Sequence, residues 1–90
     1  MPVVSNQVSV ATTQVKIVSP SASMQRVILH NHEHSSSRNI YVGNNPVTVS
    51  SGLHIPDTNT IQFEIYPGDD LWAISDTAGG AALHVMVIRN

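Results

Sequence analysis

Short runs in which apolar and polar residues alternate, broken about every ten residues by Gly, Pro, Asn or Asp, set the pattern of this chain. Residues 8–18 (VSVATTQVKIV) are rich in Val, Ile and Thr, which fit a pleated, half-buried surface. Val8 and Val10 share one parity, whereas Val15 and Ile17 share the other. A one-residue shift sends every later side chain to the opposite face, so this slip predicts a bulge or a crossing between sheets near Thr12–Gln14. Pro20 closes the run as a turn. Residues 25–32 form the next strand, with Val27 and Leu29 on one face and Ile28 and His30 on the other. After the polar run HEHSSSR, NIYVG is a short strand with Ile40 and Val42 inward, and residues 43–46 (GNNP) make a tight connection.

The same alternation predicts a strand at residues 47–50 (VTVS), a brief one at LHIP, a turn at Asp57–Asn59, and a strand at IQFEI with Ile61, Phe63 and Ile65 inward. Pro67 and Gly68 occupy the centre of a type II turn; LWAIS and AALHVMVIR are the last two strands. No window shows a helical period. The prediction is an all-β single domain: a small β-sandwich, Greek-key or jelly-roll-like, of seven or eight short strands, with a barrel as the alternative. Residues 1–14 are an extended N-terminal arm or first strand, and residues 15–90 the sandwich domain. The final strand is apolar on both faces, Leu83, Val85 and Val87 against Met86 and Ile88. Either a loop of the same chain or a neighbouring subunit covers its second face.

Composition narrows the functions. Only 11% of the 90 residues are charged, against about 25% in an average domain, and the polar character comes from Ser, Thr, Asn and Gln. These residues desolvate more cheaply than ions, which suits a surface in contact with other protein. Lys16, Arg26, Arg38 and Arg89 are scattered and the net charge is −2, which argues against nucleic acid. There is no cysteine to supply a disulfide or a thiolate, so self-association is the expected supplement to a small core. The start, MPVVSNQVSV, has no signal-peptide pattern and no stretch is long enough to span a membrane, so synthesis in a cytoplasm is the expectation.

Candidate chemistry is sparse. In His30-Asn31-His32-Glu33-His34 the three imidazoles fall on one side of a strand and are candidate ligands for a zinc-like ion. A flat strand spreads alternate side chains about 6.6–6.8 Å apart, which opposes closure of all three on one centre. The alternative is surface histidines with mild pH sensitivity. His54 and His84 stand alone and are expected as half-buried strand residues with hydrogen-bonded rings. No nucleophile elbow accompanies the many serines. Asp69 and Asp70 are adjacent in sequence and face opposite ways; with Asp76 they lack a calcium-loop spacing. The four aromatics, Tyr41, Phe63, Tyr66 and Trp72, leave little for a sugar-stacking platform. No enzyme activity and no cofactor are expected.

The ordered motifs NIYVGNNPVTVSSG, YPGDDLWAIS and LHVMVI, across residues 25–90, resemble small bacteriophage virion proteins of the β-sandwich type, some of which are capsid decoration (cement) proteins. HEHSSSR is a longer insert than that pattern carries. The resemblance implies a structural role at the capsid surface of a virion: a homo-oligomer, with a trimer favoured, that binds the major capsid protein and stabilises the head shell. Residues 1–14 would be an arm that adds a strand to a partner. The expected interface residues are Val3, Val4, Val8 and Val10 in the arm, with Met86 and Ile88 on the last strand. A tail, baseplate or fibre component, or a small glycan- or metal-binding module, is the alternative.

Overall fold

The parity slip between Val10 and Val15 is the point at which the chain changes sheets. In the computed structural model, which describes residues 3–32, 38–56, 58–77 and 80–89, β1 (Val3–Val10) lies in one sheet and β2 (Val15–Val18) in the other. There follow β3 (Gln25–Asn31), β4 (Ile40–Gly43), β5 (Leu53–Ile55), β6 (Thr60–Ile65), β7 (Leu71–Ser75) and β8 (Ala81–Arg89). The first sheet has the order β1-β8-β3-β6 and the second β2-β7-β4-β5. Every pairing is antiparallel.

This order has a simple origin. β1 pairs with β8, β2 with β7, β3 with β6 and β4 with β5, as in one long hairpin whose tip is the β4–β5 connection. Rolling that hairpin up brings β3 against the free side of β8 and β4 against the free side of β7. The result is a jelly roll, a β-sandwich of two separate sheets and not a closed barrel.

The inward rows fill the space between the sheets. Val27 and Leu29 of β3, Ile40 and Val42 of β4, Ile55 of β5, Ala73 of β7, and Leu83, Val85 and Val87 of β8 form one buried cluster with Val10, Ile17 and Val18. Phe63 and Ile61 pack against it from β6, with Gln62 and Glu64 exposed. Gly68 takes φ 86°, and the Asp69 N–H donates to the Tyr66 carbonyl at 3.1 Å, so Pro67-Gly68 is the expected type II turn.

Two local expectations need correction. Residues 47–50 are not a strand. The Thr48 carbonyl accepts the N–H groups of Ser51 (3.2 Å) and Gly52 (2.9 Å), and the Thr48 N–H donates to the Ser51 hydroxyl at 3.1 Å, which closes a turn. Val47 is 3% exposed there and Val49 45%, whereas a strand would hold both on one face, so the alternation does not mark a strand here. The second concerns the interface residues expected in the arm or first strand. Residues 3–10 pair with β8 throughout, from Val3 opposite Ile88 to Val10 opposite Ala81, so they are the first strand of the sandwich. Val10 is fully buried and Val8 packs against the core, so neither is available as the interface residue expected from sequence. The turn at Asp57–Asn59 is described only in part, since Asp57 lies outside the described residues.

A few buried polar groups fasten the strand ends, some within a sheet and some between the two. Asn31, at the end of β3, donates from Nδ2 to the carbonyls of Arg38 and Ile55, both at 2.9 Å, and so ties the first sheet to the second. The Ser75 hydroxyl donates to the Asn39 carbonyl at 2.8 Å. At the other end Gln25 Nε2 donates to the Ser19 carbonyl (3.0 Å) and its Oε1 accepts Arg89 Nε (2.8 Å). Replacing Asn31 by Ala strips two carbonyls of their donor and is expected to cost about 2–3 kcal/mol in urea unfolding. At Gly52 a Cβ would stand 2.7 Å from Tyr41 Cβ and 2.9 Å from Val47 Cγ2. Gly52→Ala is therefore expected to lower stability by about 1–3 kcal/mol, read as a lower Tm.

Candidate functional site

The outward row of the first sheet gathers what chemistry the described residues have. Because β8 lies between β1 and β3, His84 sits directly opposite both Gln7 and His30. His32, just beyond the end of β3, remains in line because its N–H donates to the Ala82 carbonyl at 2.9 Å. Three imidazoles therefore share one patch. The ring centres of His32 and His84 are 4.3 Å apart and stacked, with His30 at 5.6 Å from His32 and 6.2 Å from His84. His84 thus does not stand alone, as its position in the sequence suggested. The cluster is His30, His32 and His84, while His34 lies outside the described residues.

The nitrogens are unevenly satisfied. His30 Nδ1 shares a 2.8 Å hydrogen bond with the Thr60 hydroxyl of β6. His84 Nε2 is buried and has no hydrogen-bond partner among the described residues, contrary to the bonded ring expected there. As the rings are set, no three donors among the described residues converge on one point. Next to the cluster is an open groove of about 450 Å³, floored by Ile28, Met86 and Val85 and edged by Ser5, Asn6 and Gln7 of β1. Burial, followed by the nearby His32 and His30 rings, holds the His84 pKa below the usual histidine value.

The other sequence candidates are occupied structurally. His54 is exposed, donates from Nε2 to Asn39 Oδ1 at 2.8 Å and stacks on Tyr41 with ring centres 4.9 Å apart. Asp76 accepts hydrogen bonds from Asn39 (3.3 Å) and Thr77 (3.1 Å), and the Asn39 amide is the main cause of its lowered pKa. Lys16 lies over the Trp72 ring, 5.8 Å from its centre. Of the aromatics, Tyr66 alone is strongly exposed. Among the described residues no helix is long and apolar enough to cross a membrane.

The expected interface residues divide by environment. Val3 (58% exposed), Val4 and Met86 are open to solvent, and Ile88 is half-buried opposite Val3. From Val3 to Gln7 every residue of β1 is exposed, including Val4 and Asn6 on the inward parity. The first half of β1 thus overhangs the core and is held chiefly by its pairing with β8. Sequence parity marked Val4 as apolar but carried no sign that the second sheet stops short of it.

No family model matches the chain, and no curated protein matches it. A solved structure from the Bacillus endospore appendages, described as a novel family of disulfide-linked pili, is similar in fold. Its TM-score is 0.56 at 14% sequence identity, over 98% of this chain and 85% of that one. At that identity the likeness establishes the β-sandwich fold.

The histidine patch sets a pH dependence. Burial disfavours the charged form of His84, so its contribution is complete above the usual histidine pKa of about 6.5 and is lost as pH falls from there through the lowered folded value. Thermal melts in EDTA are expected to show Tm falling between about pH 7 and 5. In His84→Gln that part of the fall is expected to disappear.

Proposed function

We propose that this chain is a non-enzymatic structural subunit that assembles with copies of itself and onto a larger protein shell, as a capsid decoration protein does on a phage head. The observation that carries the reading is the overhanging half of β1. Open sheet edges are ordinarily blunted by short length, charge, Pro or a bulge. β2 is four residues long, carries Lys16 and has a register shift; β5 has three residues; β6 carries Glu64. β1 is eight residues long and uncharged, with neither Pro nor a register shift. Its free edge is a template for another strand, and Val3, Ile88 and Met86 give the adjoining face an apolar character.

Low charge and repeated weak contacts suit a lattice, where avidity multiplies modest affinities. The pilus-related neighbour favours a second reading, a subunit of a fibre or surface appendage. Disulfide linkage is not open to these ninety residues, which contain no cysteine. Contacts between copies would then be non-covalent.

Immunogold electron microscopy of particles from the producing cells separates the readings. Label over the head shell supports decoration, and label along a tail or extracellular fibre supports the second reading. Label confined to the soluble cell fraction would contradict both. Val3→Lys places an ammonium on the exposed edge and apolar face while leaving the core alone. It is expected to weaken self-association at least about tenfold, measured by light scattering, with the Tm of the dilute, monomeric chain unchanged.

A further inference from the structure

We infer that the free edge of β1 is taken by the β1 strand of a second copy, antiparallel to it, with Asn6 on the two-fold axis. The inference rests on the assembly reading above and gives that assembly its first contact. The first sheets of the two copies then run on as one. Of the four outer strands, β1 alone is long, uncharged and in unbroken register, so it is the edge with no charge to repel a copy of itself. A ring of three copies joined by strand pairing would need a second, different edge to receive β1, and the other three edges are short or charged. A self-facing edge closes with two copies.

The residues of β1 select the register. Where two sheets run on as one, residues that meet across the edge share a face and hence a parity, so the axis passes through a single residue. With the axis at Asn6, Val4 meets the second copy's Val8 and Asn6 meets Asn6 on the inward side. On the outward side Ser5 meets Gln7 and Val3 meets Ser9. Valine lies against valine and amide against amide. Moving the axis to Gln7 sets Asn6 against Val8, and moving it to Ser5 sets Val4 against Asn6 and shortens the pairing. Either step puts an amide against a valine.

This pairing covers what the single chain leaves open. Val4 and Asn6 are exposed although they face inward, whereas Val8 of the same row packs against the core. Across the axis Val4 is laid beside the second copy's Val8, so the inward row of one copy continues into the other and loses apolar surface to water. The Asn6 amide carries both donor and acceptor and bonds its own copy face to face. Alternate residues of an edge strand turn their N–H and C=O groups outward, and an antiparallel copy supplies each with its complement.

The chain has no cysteine, so single-cysteine variants report the pairing directly. Residues directly opposite in an antiparallel pair have Cα atoms about 4.5–5.5 Å apart, within disulfide range, whereas diagonal neighbours lie about 7–8 Å apart, beyond it. Under mild oxidation Asn6→Cys is expected to give a covalent dimer at least about tenfold faster than Ser5→Cys or Gln7→Cys. A second measurement uses charge at the same exposed position. Asn6→Asp and Asn6→Lys are each expected to weaken association at least about tenfold in sedimentation velocity, with circular dichroism showing the fold retained. Their equimolar mixture is expected to restore a species of twice the 9.7 kDa mass, since only a residue that meets itself is rescued in this way. Cross-linking fastest at Ser5 or Gln7, or association that the mixture does not restore, would overturn the proposal while leaving self-assembly standing. A chain that stays monomeric at every concentration would overturn both the pairing and the self-association on which it rests.

Discussion

β8 is the strand on which the rest of this molecule depends. It pairs with β1 on one side and β3 on the other, buries Leu83, Val85 and Val87 against the opposite sheet, and sends His84 and Met86 outward. A one-residue slip on either side would expel the valine row and bury the histidine. The register is therefore set by the core, and the core in turn fixes what is displayed. His30 meets His84, and Val3 meets Ile88, because the inward valines must align.

Much of this was legible in the chain. The inward rows of β3, β6 and β8, the crossing between Val10 and Val15, and the type II turn at Pro67-Gly68 all follow from parity and turn chemistry. Parity failed at residues 47–50, because Val47 and Val49 alternate as a strand would have them, yet the turn at Thr48–Gly52 sends Val47 into the core and leaves Val49 exposed. The histidine cluster was half visible. His30 and His32 share a face by spacing alone, but His84 is 54 positions from His30 in the chain (84 − 30) and joins only through the register of two strands. Likewise the burial of Val10 and the exposure of Val4 depend on where the second sheet ends, which no local pattern encodes.

Stability and the proposed assembly are linked here by size. A ninety-residue chain without disulfides has a small core of branched aliphatic side chains, fastened by a few buried amides and hydroxyls such as Asn31 and Ser75. The overhang of β1 exposes apolar surface that contributes nothing to the monomer and gains by being covered. With 11% of residues charged, the surface carries few of the charges that would keep copies apart. An assembled state draws on both properties.

The most direct test of that account is sedimentation velocity of the purified chain across a wide concentration range. It predicts a species heavier than the 9.7 kDa monomer that grows with concentration and recedes when β1 carries a charge at its exposed edge. A single monomeric boundary at every concentration, identical for the wild type and the edge variant, would contradict self-association through the first sheet.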